Sequence, residues 1–108
     1  MAKQDALQGS LPLLVLKILE RRGPLHGYGI TAQIEALSDL LRVEEGSLYP
    51  ALHRLEDAGW VRAKWTTTEN KRRARVYDIT PAGRKQLQQE ESRWTSVAAA
   101  IGQVLRKA

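Results

Sequence analysis

The segment Gly46–Glu56, GSLYPALHRLE, carries the strongest structural signal in this 108-residue chain. Three leucines recur in it at intervals of four and three residues, which places them on one face of a helix: Leu48, Leu52 and Leu55. Pro50 predicts a helix start near Gly46-Ser47, because proline is tolerated mainly in a first turn. Gly59 predicts the helix end, since glycine readily adopts the left-handed conformation that closes helices.

The other faces of this helix carry five side chains that suit a DNA groove: Ser47, Tyr49, Pro50, His53 and Arg54. A recognition helix inserts its first turns into the major groove, where Arg54 can donate two hydrogen bonds to a guanine or clamp a phosphate. We therefore predict DNA contacts for all five residues. In the alternative interpretation, Tyr49 belongs partly to the core and Arg54 pairs with Asp57.

Two helices are predicted upstream of this segment. The first begins at a Ser10 cap, holds Pro12 in its first turn and ends at Gly23-Pro24. Its core-facing positions follow helical spacing: Leu11, Leu14, Val15, Ile18 and Leu19. Leu13 and Leu16 lie off that face, so the helix is either central in the fold or shared with a partner chain, and both residues are assigned to the dimer contact.

The second upstream helix is predicted from about His26-Gly27 to about Ser38. Its buried stripe is Ile30, Ile34 and Leu37. His26 is interpreted as a structural hydrogen-bonding residue rather than a ligand, whereas Tyr28 fits either core packing or a phosphate contact. The connector that follows includes a possible very short strand over residues 41–43.

Two strands and a basic loop are predicted after the central helix. The strands are Trp60–Thr66 and Ala74–Thr80, and the tip between them, Thr67–Arg73, has no Asn-Gly or Asp-Gly pair. We therefore expect a longer, mobile loop rather than a tight turn. Residues 61–77 hold one acid, Glu69, and six basic residues, so their net charge of +5 equals the formal net charge of the whole chain: Arg62, Lys64, Lys71, Arg72, Arg73 and Arg75.

That concentration of charge predicts a surface that binds a polyanion. Phosphate contacts are expected from five of the basic residues: Lys64, Lys71, Arg72, Arg73 and Arg75. The alternative is a flexible hairpin tip whose charges are simply solvated.

A long final helix is predicted from Thr80-Pro81 to about Arg106, because threonine caps helices and proline is favoured at their first position. Its apolar residues alternate at intervals of three and four, as in a coiled-coil seam: Leu87, Trp94, Val97, Ala98, Ile101, Val104 and Leu105. The predicted fold is mainly α with a two-stranded β wing. Residues 1–80 form a winged helix-turn-helix, residues 81–108 a long C-terminal dimerisation helix, and together they make one compact unit.

Trp94 lies in the middle of the proposed dimer seam. In a two-fold dimer it would meet its own copy, and with Val97 and Ala98 it would line a slot for a flat aromatic effector. In the alternative, Trp94 only fills the interface.

Three motifs resemble those of the PadR family of bacterial transcriptional regulators. They are GPLHGYGI at residues 23–30, GSLYPALHRLE at 46–56 with Gly59-Trp60-Val61 after it, and RVYDITPAG at 75–83. The resemblance implies a homodimeric repressor that leaves its DNA when a signal acts. One C-terminal helix is typical of the short subgroup of this family, in which a tryptophan at the place of Trp94 lines a drug-binding cavity.

Several other classes of protein are disfavoured. The chain has no cysteine, no phosphate-binding glycine loop, no nucleophile motif and no metal-ligand spacing, so we expect no enzyme, cofactor or metal. It has no apolar run that spans a bilayer and no signal peptide, so we expect no membrane partner. We expect a bacterial cytoplasmic protein that is associated with the nucleoid when it binds DNA. The expected DNA partner is a double-stranded inverted-repeat operator. Two alternatives remain: a winged-helix module that binds protein, and a DNA-binding protein without sequence preference.

Overall fold

Seven elements make up the computed structural model, which describes the backbone of residues 2–108 and the side chains of residues 9–108. In chain order they are α1 (Ala2–Arg22), β1 (Leu25–His26), α2 (Gly27–Leu37), α3 (Glu45–Asp57), β2 (Val61–Thr67), β3 (Arg73–Ile79) and α4 (Pro81–Lys107). The predicted winged helix-turn-helix with a long final helix is therefore confirmed, with one strand more than expected.

The core forms where α1, α2 and α3 pack against one another and against the sheet. Fourteen aliphatic side chains, Ala51 and Tyr77 fill it: Leu11, Val15, Leu16, Ile18, Leu19, Ile30, Ile34, Val43, Leu48, Leu52, Leu55, Val61, Ile79 and Leu87. The three leucines of α3 thus occupy the face that their spacing predicted, and α1 contributes more core residues than any other element. Burial of these side chains is the main term that stabilises the fold.

Several boundaries differ from the sequence-based expectations. Helix α1 begins upstream of Ser10, so Pro12 lies inside the helix instead of in its first turn. Helix α3 begins at Glu45, which likewise moves Pro50 beyond the first turn. The segment 41–43 forms no strand; β1 lies instead at Leu25–His26, immediately before α2.

The buried stripe of α2 is shorter than predicted. Ile30 and Ile34 are buried, but Leu37 is the last residue of the helix and 65% exposed. Val43, from the connector, is buried instead, and its backbone N–H donates a 2.9 Å hydrogen bond to Oε2 of Glu35. That bond ties the connector back onto α2 and so fixes where α3 begins.

The sheet has the order β1-β3-β2 and is antiparallel throughout. Strands β2 and β3 form the wing, in a register that pairs Val61 with Ile79 and Thr67 with Arg73. The loop over residues 68–72 is closed by a 2.8 Å hydrogen bond from Thr68 N to the Arg72 carbonyl oxygen. The predicted longer loop is therefore confirmed, while its mobility stays a prediction.

Helix α4 spans 27 residues, or about 40 Å at 1.5 Å per residue. Gly83 and Leu87 in its first turns are buried, and Glu91 forms a 3.3 Å ion pair with Lys17 of α1. From Glu91 to the end of the helix every residue except Gly102 is exposed. The helix therefore leaves the body of the protomer after about three turns.

Candidate nucleic-acid interface

The two faces of the wing carry different basic residues, because side chains alternate across a strand. The strand register places Arg73, Arg75 and Trp65 on the face that looks toward α2 and α3. Lys64 and Arg62 lie on the opposite face, where Arg62 is paired in register with Asp78. The basic segment that is continuous in sequence is thus divided in space.

An open groove of about 690 Å³ separates the wing from the helices. Its helical wall comes from the start of α2 and from α3, its opposite wall from β2, β3 and the loop between them. The lining residues are His26, Gly27, Tyr28, Tyr49, Trp65, Thr68, Arg73, Ala74, Arg75 and Tyr77. Aromatic rings line both walls of the groove, and Arg73 and Arg75 line the wing side; such side chains can stack on or hydrogen-bond to a nucleic acid.

The surface of α3 presents the residues that the leucine spacing left outside the core. Tyr49, Pro50, His53 and Arg54 are exposed, and Ser47 is half-buried. His53 Nε2 lies 3.4 Å from Asp57 Oδ2, so Asp57 pairs with His53 and not with Arg54, as the alternative interpretation had it. The guanidinium of Arg54 has no carboxylate within ion-pair distance among the described side chains.

Tyr49 joins two parts of the groove wall. Its side chain is 47% exposed, yet its ring lies so close to Gly27 that a Cβ there would sit 3.1 Å from Tyr49 Oη. Gly27 therefore permits the start of α2 to approach α3. The ring is neither buried in the core nor free, and one of its edges faces the groove.

Tyr28 does not belong to the core, because its side chain is 82% exposed. It lies at the start of α2, one residue after Gly27, and lines the groove. The core-packing interpretation of Tyr28 is therefore wrong, while the phosphate contact stays a prediction. The neighbouring His26 is half-buried, and its Nε2 atom is buried without a hydrogen-bond partner in the protein.

Arg75 departs from the sequence-based expectation of a phosphate contact. Its NH2 atom donates a 2.8 Å hydrogen bond to Glu56 Oε2, and the two side chains form an ion pair. Its guanidinium also lies over Trp65 and Tyr77, at 5.7 Å from each ring centroid. The charge of Arg75 is already engaged within the protomer, because the residue lies on the strand face that looks toward α3.

The remaining basic residues of the wing are directed outward. Lys71 and Arg72 in the loop and Arg73 at the start of β3 are exposed, as is Lys64. The guanidinium of Arg73 lies 4.8 Å from the ring centroid of Trp65. Sequence analysis missed Trp65 and Glu56 as parts of this surface. The pairing of Trp65 with Arg75 could have been found only from the strand register.

Helix α4 presents an apolar surface away from the groove. Its exposed members are Trp94, Val97, Ala98, Ile101, Val104 and Leu105. Leu16 and Leu87 do not belong to that surface, because each is 1% exposed and packed inside the core of the protomer. Their assignment to a dimer contact is corrected accordingly. Leu13 is half-buried against the same core.

Among residues 9–108, no group of three or more histidine or acidic side chains is placed to hold a metal ion. Over the same described part of the chain, no helix combines the length and the apolar character that crossing a bilayer requires.

Comparison with known proteins gives consistent matches. The model of the transcriptional regulator PadR-like family matches residues 15–89. The negative transcriptional regulator PadR of Bacillus subtilis is 31% identical over 70 residues, which are 64% of this chain and 38% of that protein. The chain spans between 23% and 59% of the curated relatives that it matches.

Solved structures resemble the fold closely. A PadR family transcriptional regulator from Eggerthella lenta superposes with a TM-score of 0.83 at 27% identity, covering 97% of this chain and 89% of that one. Bacillus subtilis PadR in complex with operator DNA superposes with a TM-score of 0.65 at 30% identity, covering 73% of this chain and 45% of that one.

Proposed function

Because this chain belongs to the PadR-like family of transcriptional regulators, we propose that it is a sequence-specific, dimeric DNA-binding repressor. One observation carries the proposal: Tyr49 from the exposed face of α3 lines the same groove as Thr68 and Arg73 of the wing. That arrangement presents base-reading and phosphate-binding side chains side by side. One relative, PadR of Bacillus subtilis, is named a negative transcriptional regulator, and its structure has been solved in complex with operator DNA.

Within this proposal the DNA contacts divide into two groups. Ser47, Tyr49, Pro50, His53 and Arg54 enter the major groove from α3. Tyr28, Lys64, Lys71, Arg72 and Arg73 hold the backbone on either side of it. The second group supplies affinity that falls with added salt, since each neutralised phosphate releases counterions.

The dimer forms through the half of α4 that extends beyond the body. Trp94 is 55% exposed and Ile101 54% exposed, and both lie on one side of the helix with Val97 and Val104. A contiguous apolar surface of this kind marks an interaction site. Two copies related by a two-fold axis then present two wings and two α3 helices to an inverted repeat.

The test is footprinting of the DNA upstream of the protein's own gene, followed by titration of the protected site at low and moderate salt. A protected inverted repeat that outcompetes random DNA supports a site-specific regulator. Equal competition by random DNA indicates a non-specific DNA-binding protein. No retention of DNA at low salt indicates a module that binds protein.

We also propose that a flat aromatic effector binds between the two copies of Trp94 and releases the DNA. The exposure of the Trp94 ring, with Val97 and Ala98 beside it, supports this site. The measurement is the fluorescence of the chain titrated with a panel of planar cationic and phenolic compounds. Because Trp60 and Trp65 also emit, the Trp94→Phe variant identifies the signal. The site is supported if a compound quenches the fluorescence of the parent chain, releases its DNA, and causes no such quenching in Trp94→Phe. The absence of quenching by every compound in the panel contradicts it.

A further inference from the structure

Two arginines on the same strand face are placed very differently. Arg73 and Arg75 of β3 both approach the ring of Trp65, with guanidinium carbons 4.8 Å and 5.7 Å from its centroid. Arg73 is exposed, and no carboxylate among the described side chains lies within ion-pair distance of it. Arg75 is half-buried and forms a 2.8 Å bond to Glu56.

The Glu56 contact links two elements that both face the proposed DNA site. Glu56 lies in the last turn of α3, one residue before that helix ends, and Arg75 lies in the middle of β3. The side chains of Arg75 and Glu56 are 37% and 30% exposed, and the Nε atom of Arg75 is buried. The pair therefore links α3 to the wing through a side-chain contact. Along the chain, residues 58–60 connect the same two elements.

Glu56 already accepts a hydrogen bond from Arg75 NH2, so a phosphate at Arg75 would compete with that carboxylate for the guanidinium. A guanidinium that is already paired with a carboxylate contributes little to counterion release, because its charge is largely neutralised before DNA arrives. Its planar group also lies over Trp65 and Tyr77, a placement that lysine does not reproduce. Of these contacts, the ion pair with Glu56 is the one that joins the wing to α3.

We propose that Arg75 is a positioning residue: paired with Glu56 and held over Trp65, it fixes the wing relative to α3 and so determines sequence preference without contacting DNA. This inference rests on the proposed function. Arg73, two residues away on the same strand face, supplies the phosphate contact.

The DNA test compares Arg75→Lys and Glu56→Ala with the matched control Arg73→Ala. Affinity for the operator and for random DNA is measured over a range of salt concentrations. Arg75→Lys keeps the charge, so we expect its salt slope to equal that of the parent chain, while its operator-to-random ratio falls by about tenfold. Arg73→Ala is expected to lower the slope by about one on both DNAs and to leave the ratio nearly unchanged.

The Glu56→Ala variant distinguishes a positioning role of Arg75 from direct DNA binding by Arg75. If Arg75 only positions the wing, its release from Glu56 lowers the operator-to-random ratio. If Arg75 binds DNA, its release raises operator affinity and the ratio is preserved. The charge-swapped double variant Glu56→Arg with Arg75→Glu restores the ratio under the positioning role. The inference is overturned if Arg75→Ala reduces the salt slope as much as Arg73→Ala does and leaves the operator-to-random ratio unchanged.

A second measurement does not involve DNA and so separates this inference from the proposed function. The chain has no cysteine, so spin labels can be placed at His53→Cys on α3 and Asn70→Cys in the wing loop. Labelled chains are diluted into unlabelled ones, and the distance distribution is recorded by electron paramagnetic resonance. We expect Glu56→Ala and Arg75→Lys to broaden the distribution and Arg73→Ala to leave it narrow. Equally narrow distributions in all three variants overturn the positioning role, even where the parent chain binds its operator.

Discussion

The hydroxyl of Thr80 donates a 2.7 Å hydrogen bond to the carbonyl oxygen of Gly59. The hydroxyl oxygen of Thr80 in turn accepts a 3.0 Å bond from Gly83 N, and Thr80 N donates to the Trp60 carbonyl oxygen at 3.0 Å. One residue therefore caps α4 and fastens it to the turn that ends α3.

Thr80→Ala is expected to lower the free energy of unfolding by about 1–2 kcal/mol, because loss of an N-cap side chain leaves backbone donors unsatisfied. The bond to Gly59 is lost at the same time. Urea denaturation of both chains measures the difference. Thr80→Ser keeps the hydroxyl and is the matched control; a loss as large in serine as in alanine would contradict the role of the two bonds.

Gly83→Ala is expected to destabilise the fold by about 1–3 kcal/mol through overpacking, despite the better helix propensity of alanine. A Cβ at this position would overlap the Trp60 carbonyl oxygen and lie 2.8 Å from Cγ1 of Ile79. Gly102→Ala is the control on the same helix, because its Cβ would meet only the mobile end of Arg106. We expect that control to be neutral or stabilising in thermal denaturation. Equal melting temperatures for both variants would show that the close approach of α4 is not required.

The start of α4 and the core face of α3 show which structural features can be predicted from the sequence and which cannot. The Thr80-Pro81 start of α4 and the three core leucines of α3 follow from local rules of capping and periodicity, and both are confirmed. The need for glycine at position 83 does not follow from those rules, because it arises from contact with a backbone atom 23 residues away in the chain.

The errors at the candidate site have a related cause. Arg75 was grouped with the other basic residues because charge is read along the chain, whereas the ion pair with Glu56 depends on strand register. Leu16 and Leu87 fitted a seam by spacing, yet the protomer's own core encloses both. Periodicity identifies the faces of a helix, but which neighbour covers each face is decided by tertiary packing.

The stability of the fold is expected to fall as pH rises above about 10, the ordinary pKa of tyrosine. Burial is the main cause that raises the pKa of Tyr77 above 10.0, and the nearby charge of Arg75 opposes it. The folded state therefore holds the phenolic proton more tightly than the unfolded state. The resulting stability is complete below pH 10 and is lost as pH rises through the higher pKa of the folded state. Denaturation midpoints measured between pH 8 and about 11 should fall less steeply in Tyr77→Phe, and parallel curves for the two chains would refute this.

Arg54→Ala and Arg72→Ala are expected to weaken DNA binding in different ways. Arg54 is exposed on α3, so its loss should cost about 1–3 kcal/mol on the operator and relax the choice of base at one position. Arg72 lies in the wing loop, so its loss should lower affinity for every sequence and reduce the salt slope by about one. Titration of operator, single-base variants and random DNA at several salt concentrations distinguishes the two effects. Uniform losses on all sequences in both variants would contradict base reading by Arg54.

Ile101→Asp is expected to separate the proposed dimer, because it places a carboxylate in the middle of the exposed apolar surface of α4. Sedimentation should then show a monomer that stays folded, since Ile101 makes no contribution to the core of the protomer, and its melting temperature should no longer rise with protein concentration. Affinity for a single half-site should be unchanged, whereas affinity for the inverted repeat should fall by roughly a hundredfold or more, because the two half-sites are no longer bound by one linked particle. Gln103→Asp adds the same charge at an exposed position outside the apolar surface and should leave the dimer intact. If Ile101→Asp still sediments as a dimer, the contact between copies lies elsewhere than on α4.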